Sequence, residues 1–226
     1  MKRKKKIFKS KNITILSVSR WLKKISDKSS IINNKKNYVI PNTIDTQIFT
    51  PGKKKHLKIK LNLDVSKKVV MFGALSSTQD KNKGYKKFIT SLSHLESFKN
   101  NIQIVIFGNE TSKVNHNPLF DIKYLGYLKG DMALRQAYSA ADVMVIPSIQ
   151  ESFGQTAIEA MSCGTPVVAF GATGLLDIVD HRKNGYLAKP YDSTDLANGI
   201  KWILKNYSKY NLSANAIVKI IKNFDY

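Results

Sequence analysis

The sequence predicts an α/β fold built on a doubly wound parallel sheet, and three observations support this. Short apolar runs rich in Val and Ile alternate with segments whose apolar residues recur at helical spacing. Several runs, such as KVVMFG at 68–73, lack the polar alternation of a half-exposed strand, as expected when helices cover both faces of a sheet. The chain has 226 residues, 42% of them hydrophobic, which is enough for one large core.

The elements follow one another in the order that such a fold requires. Strands are predicted, in order, at ITILSVS (13–19), NYVIP (37–41), KVVMFG (68–73), IQIVIFG (102–108), DIKYLG (121–126), DVMVIPS (142–148) and TPVVAF (165–170). Helices are predicted at GYKKFITSLSHL (84–95), GDMALRQAYSAA (130–141) and GQTAIEAMSC (154–163). A strand that is followed repeatedly by a helix indicates parallel pairing with crossover connections.

A domain boundary is predicted near PNTIDTQIFTPGKKK (41–55), where Pro, Gly, Asn and a Lys run interrupt the pattern. About one strand–helix–strand unit precedes it, which is too little for an independent core. Residues 1–42 are therefore expected to be the remnant of another domain, and 43–226 the main domain. The last residues, KNFDY, follow a helical stretch without a breaker, so both ends look cut.

The charge of the chain predicts polyanionic partners. Lys and Arg total 37 against 16 acidic residues, a net charge of +21. One hypothesis is a basic nucleic-acid-binding module, suggested by MKRKKK at the N-terminus; against it, the basic residues are spread along the chain and form no known reader motif. A second hypothesis is contact with an anionic membrane surface. The single cysteine, Cys163, and the absence of a signal peptide or long apolar segment favour a cytoplasmic location.

The stretch ESFGQTAIEAMSCGTPVV (151–168) places two carboxylates beside a glycine loop. Glu151 lies on the loop that follows a predicted strand, and Glu159 lies on the next helix, among apolar residues. In an open parallel sheet, ligands bind where the carboxyl ends of strands meet helix N-termini. A carboxylate accepts the paired hydroxyls of a sugar or ribose, and Gly154 lets the backbone approach a ligand. From spacing alone, solvated surface charges remain the alternative.

These motifs, in this order, resemble those of the family-4 retaining glycosyltransferases, which have the GT-B fold. The E-x7-E pattern of ESFGQTAIE with AMSCGTPVVA behind it carries the resemblance, supported by SRWL (19–22), VIPNTIDTQIFTP (39–51), FGALSSTQDKNKG (72–84) and AYSAADVMVIPS. The similarity extends from about residue 13 to the end. It implies that the chain is the Rossmann-like, nucleotide-sugar-binding half of a GT-B enzyme, with a short tail of the acceptor half.

The resemblance also implies roles for particular residues. In the family, the first glutamate contacts the donor sugar, which assigns Glu151, and the second bonds the nucleotide ribose, which assigns Glu159. A lysine before a glycine neutralises the leaving diphosphate, which assigns Lys83. Lys83 and Glu151 are thus the expected catalytic residues. The full expected donor site comprises Gly73, Lys81, Lys83, Gly84, Glu151, Ser152, Phe153, Gly154 and Glu159.

The chain departs from the family pattern in its phosphate loop. The family pairs its lysine with an arginine, whereas Thr78 stands at one usual arginine spacing and Asn82 stands where a related subgroup carries arginine. Lys81 is a candidate substitute, but an ammonium lacks the fork geometry of guanidinium. Without this arginine, and with most of the acceptor half absent, the chain is expected to bind donor but to turn over poorly or not at all.

The resemblance implies a UDP- or GDP-sugar donor and a saccharide or lipid-linked acceptor, as in cell-surface polysaccharide synthesis. It implies no metal and no cofactor, and the sequence contains no Asp-x-Asp motif. GATGLLDIV (171–179) keeps Gly174 and Asp177 near family positions; a structural turn is favoured over a sugar contact. Cys163 is expected to be a small buried residue and not a nucleophile.

Overall fold

The computed structural model describes residues 2–10, 12–73, 80–108, 119–120 and 122–226. Its strands are β1 (Thr14–Ser17), β2 (Lys36–Val39), β3 (Lys68–Gly73), β4 (Ile102–Phe107), β5 (Ile122–Tyr124), β6 (Val143–Ile146), β7 (Val167–Phe170) and β8 (Gly185–Ala188). Its α-helices are α1 (Lys2–Ser10), α2 (Arg20–Asp27), α3 (Lys54–Lys60), α4 (Tyr85–Leu92), α5 (Asp131–Ala140), α6 (Gln155–Ser162), α7 (Ser193–Asn206) and α8 (Leu212–Phe224). Short 3₁₀ turns cover Lys81–Lys83, Ser93–Phe98 and Thr173–Asp177.

Six strands form one parallel sheet in the order β5-β4-β3-β6-β7-β8. The chain moves outward from β3 to one edge and then returns to β6 and continues to the other edge. The neighbours β3 and β6, which pair Val70 with Val143, therefore mark the point where the strand order reverses. Ligands of open α/β sheets bind at this point, outside the carboxyl ends of the strands.

Helices cover both faces of the sheet, which explains why its central strands are apolar throughout. Helices α4 and α7 pack on one face, with Phe88 and Ile200 fully buried in that core. Helices α3, α5, α6 and α8 pack on the other, where Ile158 and Ile220 are fully buried. All four residues of β6 are buried, as the unbroken VMVI run predicts for a strand without a solvent face. The predicted α/β doubly wound parallel sheet is confirmed.

An ion cluster attaches α3 to the sheet at the end where β6 begins. The buried Asp142 carboxylate, just before β6, lies 3.1 Å from Nζ of both Lys54 and Lys58 and accepts the Val69 amide at 2.8 Å. Burial alone would raise the pKa of this carboxyl, but the two lysines and the amide outweigh it and hold the pKa below its usual value. This cluster is structural, and it lies at the amino end of β6, opposite to the carboxyl ends of the strands.

The front segment forms a separate two-stranded parallel sheet, β1–α2–β2. Leu16, Tyr38 and Ile40 on it are more than half exposed. Ile44, which follows this segment, lies beside α8, and its amide donates to the Phe224 carbonyl at 2.8 Å. This contact connects the segment to the main domain. The division at residue 42 stays a prediction.

One missed strand and one shortened helix are among the differences between the predicted elements and the structure. The edge strand β8 was not predicted, because Asn, Gly and Lys surround its four residues and dilute the apolar run. The predicted helix at 84–95 is α-helical only to Leu92 and continues as a 3₁₀ turn. Within the described ranges, no helix is long and apolar enough to cross a membrane.

Candidate active site

The predicted site residues converge at the carboxyl edge of the sheet, from two loops. The first loop follows β3 and ends in the 3₁₀ turn Lys81–Lys83 and Gly84. The second follows β6 and runs through Pro147 to Gly154, where α6 begins. Residues 74–79, which include Thr78, lie outside the described residues.

An ion pair joins the two loops. Lys83 Nζ lies 2.9 Å from Glu151 Oε2, and both side chains are largely withdrawn from solvent, with exposed fractions of 27% and 17%. Ser148 Oγ donates to the same carboxylate oxygen at 3.4 Å. Lys83 and Glu151 are separated by 68 positions in the sequence. The pair encloses a cavity of about 10 Å³, room for a single water, that Phe72, Gly73 and Thr156 also line.

Gly84 allows the two loops to approach this closely. Its φ is +74°, and a Cβ at this position would overlap the carbonyl oxygen of Pro147. The Ile149 amide donates to the Asn82 carbonyl at 2.8 Å, so the loops are also joined through their backbones. Any larger residue at 84 would force the loops apart and separate Lys83 from Glu151.

Gly73, the last residue of β3, also has no room for a side chain, because a Cβ there would overlap the Phe107 ring. Lys81 is the first residue of the 3₁₀ turn and is exposed. Asp80 caps the turn by accepting the Asn82 amide at 2.8 Å. Asn82 thus acts through its backbone in the described structure.

The loop from Glu151 to Gly154 presents backbone, not side chains, at its centre. Phe153 is 3% exposed and packs edge-on against Phe224 of α8, with ring centroids 5.6 Å apart. Gly154 has φ +117° and leads into α6, while Ser152 is exposed. The phenylalanine ring anchors the loop in the core.

Two further segments hold this loop, and the sequence did not predict these contacts. The Gly174 amide donates to the Glu151 carbonyl at 2.9 Å. Ser19 Oγ, fully buried at the start of α2, donates to the Ser152 carbonyl at 2.6 Å. Asp177, placed near the site in the sequence, instead caps α2 by accepting the Arg20 amide at 2.7 Å. Through Gly174 and Asp177, the segment 171–179 thus holds both the Glu151 loop and the start of α2.

Glu159 lies one turn into α6 on its buried side. Tyr138 of α5, itself 1% exposed, donates its hydroxyl to Glu159 Oε2 at 2.7 Å. Burial raises the pKa of Glu159 to about 7, and the nearby Asp131 adds to this, while the Tyr138 and Gln155 hydrogen bonds act in the opposite direction. The prediction that Glu159 is not an ordinary surface charge agrees with this environment. Tyr138, 21 positions away along the chain, was not predicted as its partner.

The remaining reactive groups do not join this site. Cys163 is 4% exposed, and burial raises the pKa of its thiol to about 12, as expected for a structural cysteine. In the part of the chain that the structure describes, no three His, Cys, Asp or Glu side chains lie together so as to hold a metal ion.

Comparison with known proteins identifies the family to which such a site belongs. The model of the family described as glycosyl transferases group 1 matches residues 53–219. A D-inositol 3-phosphate glycosyltransferase of Stackebrandtia nassauensis is 30% identical over 192 residues, which cover 79% of this chain and 43% of the relative. The chain therefore spans less than half the length of this curated relative.

Solved structures show the same fold. Sucrose-phosphate synthase from Thermosynechococcus elongatus matches 94% of this chain and 54% of its own with a TM-score of 0.80 at 24% identity. The Anabaena protein HepE, in complex with UDP and glucose, matches 94% of this chain and 59% of its own with a TM-score of 0.76 at 22% identity. At these identities the similarity establishes the fold, which is that of one half of a GT-B glycosyltransferase.

Proposed function

Because the chain belongs to the group 1 glycosyl transferases, we propose that it forms the donor side of an enzyme that transfers a hexose from a nucleotide diphosphate sugar to a saccharide or lipid-linked acceptor, with retention at the anomeric carbon. The observation that carries the proposal is the 2.9 Å pair of Lys83 and Glu151 at the strand-order reversal, with Glu159 on the helix that follows. Open α/β sheets bind nucleotides at this position.

Each of these groups has a role that suits its chemistry. Transfer places negative charge on the departing diphosphate, and the Lys83 ammonium stabilises this charge. The Glu151 carboxylate accepts hydroxyls of the sugar, and the ion pair to Lys83 sets its orientation before the ligand arrives. Backbone amides near Phe153 and Gly154 bind on the side of the sugar that faces the phosphate. Glu159 accepts the ribose hydroxyls.

Turnover by this chain alone is proposed to be low. Asn82 carries no positive charge and Lys81 is exposed, whereas Lys83 is ion-paired with Glu151. Of these three residues, only Lys83 is therefore proposed to neutralise the diphosphate. The chain also spans less than half of the curated relative above, and a facing domain is what excludes water from a cleft of this type. We propose that residues 1–42 belong to that facing half and that its remainder supplies the acceptor site.

Peripheral contact with an anionic membrane is a further part of the proposal. The net charge of +21 and the basic helix α1 favour lipid headgroups of opposite charge, near which lipid-linked acceptors reside. Sedimentation with vesicles of phosphatidylglycerol should deplete the chain from solution at low salt and release it at 0.5 M salt. Equal sedimentation with neutral vesicles would contradict this.

Calorimetric titration with UDP, GDP and ADP tests donor binding. We expect one diphosphate to bind, and its affinity to fall by about 10- to 100-fold in Glu159→Ala, since hydrogen bonds to a charged acceptor are worth about 1.5–3 kcal/mol. The matched control is Glu96→Ala, an exposed glutamate on the remote 3₁₀ turn, which should bind like the wild type. Absence of binding in the folded wild-type chain, or equal loss in both variants, would refute the proposal.

A further inference from the structure

Thr173 has an unfavourable backbone conformation. Its φ is +65°, in the left-handed region that β-branched residues rarely occupy. It begins the 3₁₀ turn Thr173–Asp177 and is 3% exposed. Conformations of this kind persist where the surrounding structure imposes them, and they are concentrated at functional sites.

The hydroxyl of the same residue is buried and lacks a hydrogen-bond partner among the described residues. Buried hydroxyls are almost always paired, so this one requires an explanation. The other buried side-chain hydroxyls without a partner in the described ranges belong to Ser26, Tyr85 and Tyr124. Of these four residues, Thr173 alone also has a positive φ.

The residue that follows Thr173 packs against the loop that carries Glu151. The amide of the next residue, Gly174, donates to the Glu151 carbonyl at 2.9 Å. A Cβ on Gly174 would overlap the Ser152 carbonyl and the Phe153 Cα, so the two backbones are in contact. The segment that contains the strained Thr173 and its unpaired hydroxyl therefore packs against the backbone of the loop that carries Glu151.

We propose that Thr173 Oγ1 hydrogen-bonds a hydroxyl of the donor hexose and thereby helps to select the sugar; the proposal rests on the function proposed above. A hydroxyl both donates and accepts, which suits a sugar hydroxyl, whereas the charged diphosphate is assigned to Lys83. The bound sugar supplies the partner that Oγ1 lacks. Loss of the hydroxyl should weaken binding of the hexose and leave binding of the diphosphate unchanged.

Three substitutions separate the hydroxyl from the backbone. Thr173→Val keeps the shape, the β-branching and the backbone strain but removes the hydroxyl. Thr173→Ser keeps the hydroxyl, and Thr173→Gly removes the hydroxyl together with the strain, because glycine adopts positive φ freely. The glycine variant should unfold at no lower temperature than the wild type, so loss of the fold is separable from loss of a contact.

Affinities are measured for UDP, GDP and ADP and for UDP-glucose, UDP-galactose, UDP-N-acetylglucosamine, GDP-mannose and ADP-glucose. We expect the valine and glycine variants to bind the preferred diphosphate within about 2-fold of the wild type and its sugar conjugate about 5- to 100-fold more weakly, as for a buried hydrogen bond left unmade. The serine variant should bind both within about 3-fold of the wild type.

Two outcomes would overturn the proposal, and they are distinguishable. Diphosphate binding by the wild type, with the same preference for the sugar conjugate in the valine variant, refutes the role of Thr173 and leaves the donor site intact. Binding of none of these ligands by the folded wild-type chain refutes the donor site, and the role of Thr173 with it.

Discussion

Replacement of Glu159 by glutamine should make the protein more stable and less able to bind its ligand. Glu159 is buried beside Tyr138, and burial raises its pKa from 4.5 to about 7. At pH 8 the folded protein therefore holds a charge that would be more stable in water. Glutamine keeps the size of the side chain and the possibility of a hydrogen bond from Tyr138, but it carries no charge.

The size of this effect follows from the two pKa values. A difference between 4.5 and about 7 corresponds to about 3 kcal/mol at 1.36 kcal/mol per pH unit. A carboxyl whose pKa is raised by folding contributes its full stability below the unfolded pKa of 4.5, and this contribution is lost as pH rises through the folded pKa near 7. Glu159→Gln should thus match the wild type near pH 4 and exceed it by about 3 kcal/mol at pH 8.

Ligand binding should change in the opposite direction. Between pH 6 and pH 8, the ionised fraction of a carboxyl with a pKa near 7 rises from about one-tenth to about nine-tenths. The wild-type affinity for a sugar nucleotide should rise about 10-fold over this range, and that of Glu159→Gln should be weak and independent of pH. A sugar nucleotide is preferred to a diphosphate here, because a terminal phosphate titrates near pH 6 itself.

Urea unfolding at pH 4, 6 and 8, with calorimetry at pH 6 and 8, measures both effects. Tyr138→Phe provides a directional control: the Tyr138 bond lowers the pKa of Glu159, so its removal should shift the midpoint of the binding curve to higher pH. Glu96→Gln, at an exposed position, should show neither effect. A difference in unfolding free energy between Glu159→Gln and wild type that stays constant from pH 4 to 8 would refute the reasoning.

Three further predictions concern the loops and the ion cluster. Lys83→Met should weaken diphosphate binding about 10- to 100-fold in calorimetry, because a charge-assisted contact is lost; an equal loss in the exposed Lys86→Met would point to general charge instead. Gly84→Ala should destabilise the fold by more than about 2 kcal/mol in urea unfolding, since φ is +74° and the new Cβ meets the Pro147 carbonyl; an unchanged midpoint would contradict this loop geometry. Asp142→Asn should lower the free energy of unfolding by about 3–5 kcal/mol at pH 7, because the buried Lys58 and its neighbour Lys54 lose their counter-charge. This cost should shrink as acid protonates the wild-type carboxyl, whose pKa is below its usual value. A cost under about 1 kcal/mol in urea unfolding would show that the cluster is dispensable.

Local patterns predicted the fold because the forces that set it act within each element. The unbroken VMVI of β6 and KVVMFG of β3 show that both faces of these strands are covered, and the intervening helical spacing implies parallel crossovers. The strand β8 was missed because it lacks such a local pattern. Its four residues depend on pairing with β7 and not on a pattern of their own.

The candidate site was predicted in part. Glu151, Gly154 and Glu159 occupy one loop and the helix that follows it, so their spacing is visible along the chain. Lys83 was assigned through the resemblance, and the structure places it against Glu151. The roles of these residues in catalysis and donor binding stay predictions.

By itself, the sequence determined the alternation of strands and helices, the two loops that carry the glycines, and the family. The tertiary structure decided which groups meet: Lys83 with Glu151 across 68 positions, Tyr138 with Glu159 from a neighbouring helix, and Gly174 with the backbone of the loop that carries Glu151. The physical reason is that burial, pKa and strain depend on neighbours brought together by strand order. Strand order is set by packing of the whole sheet, and no single segment records it.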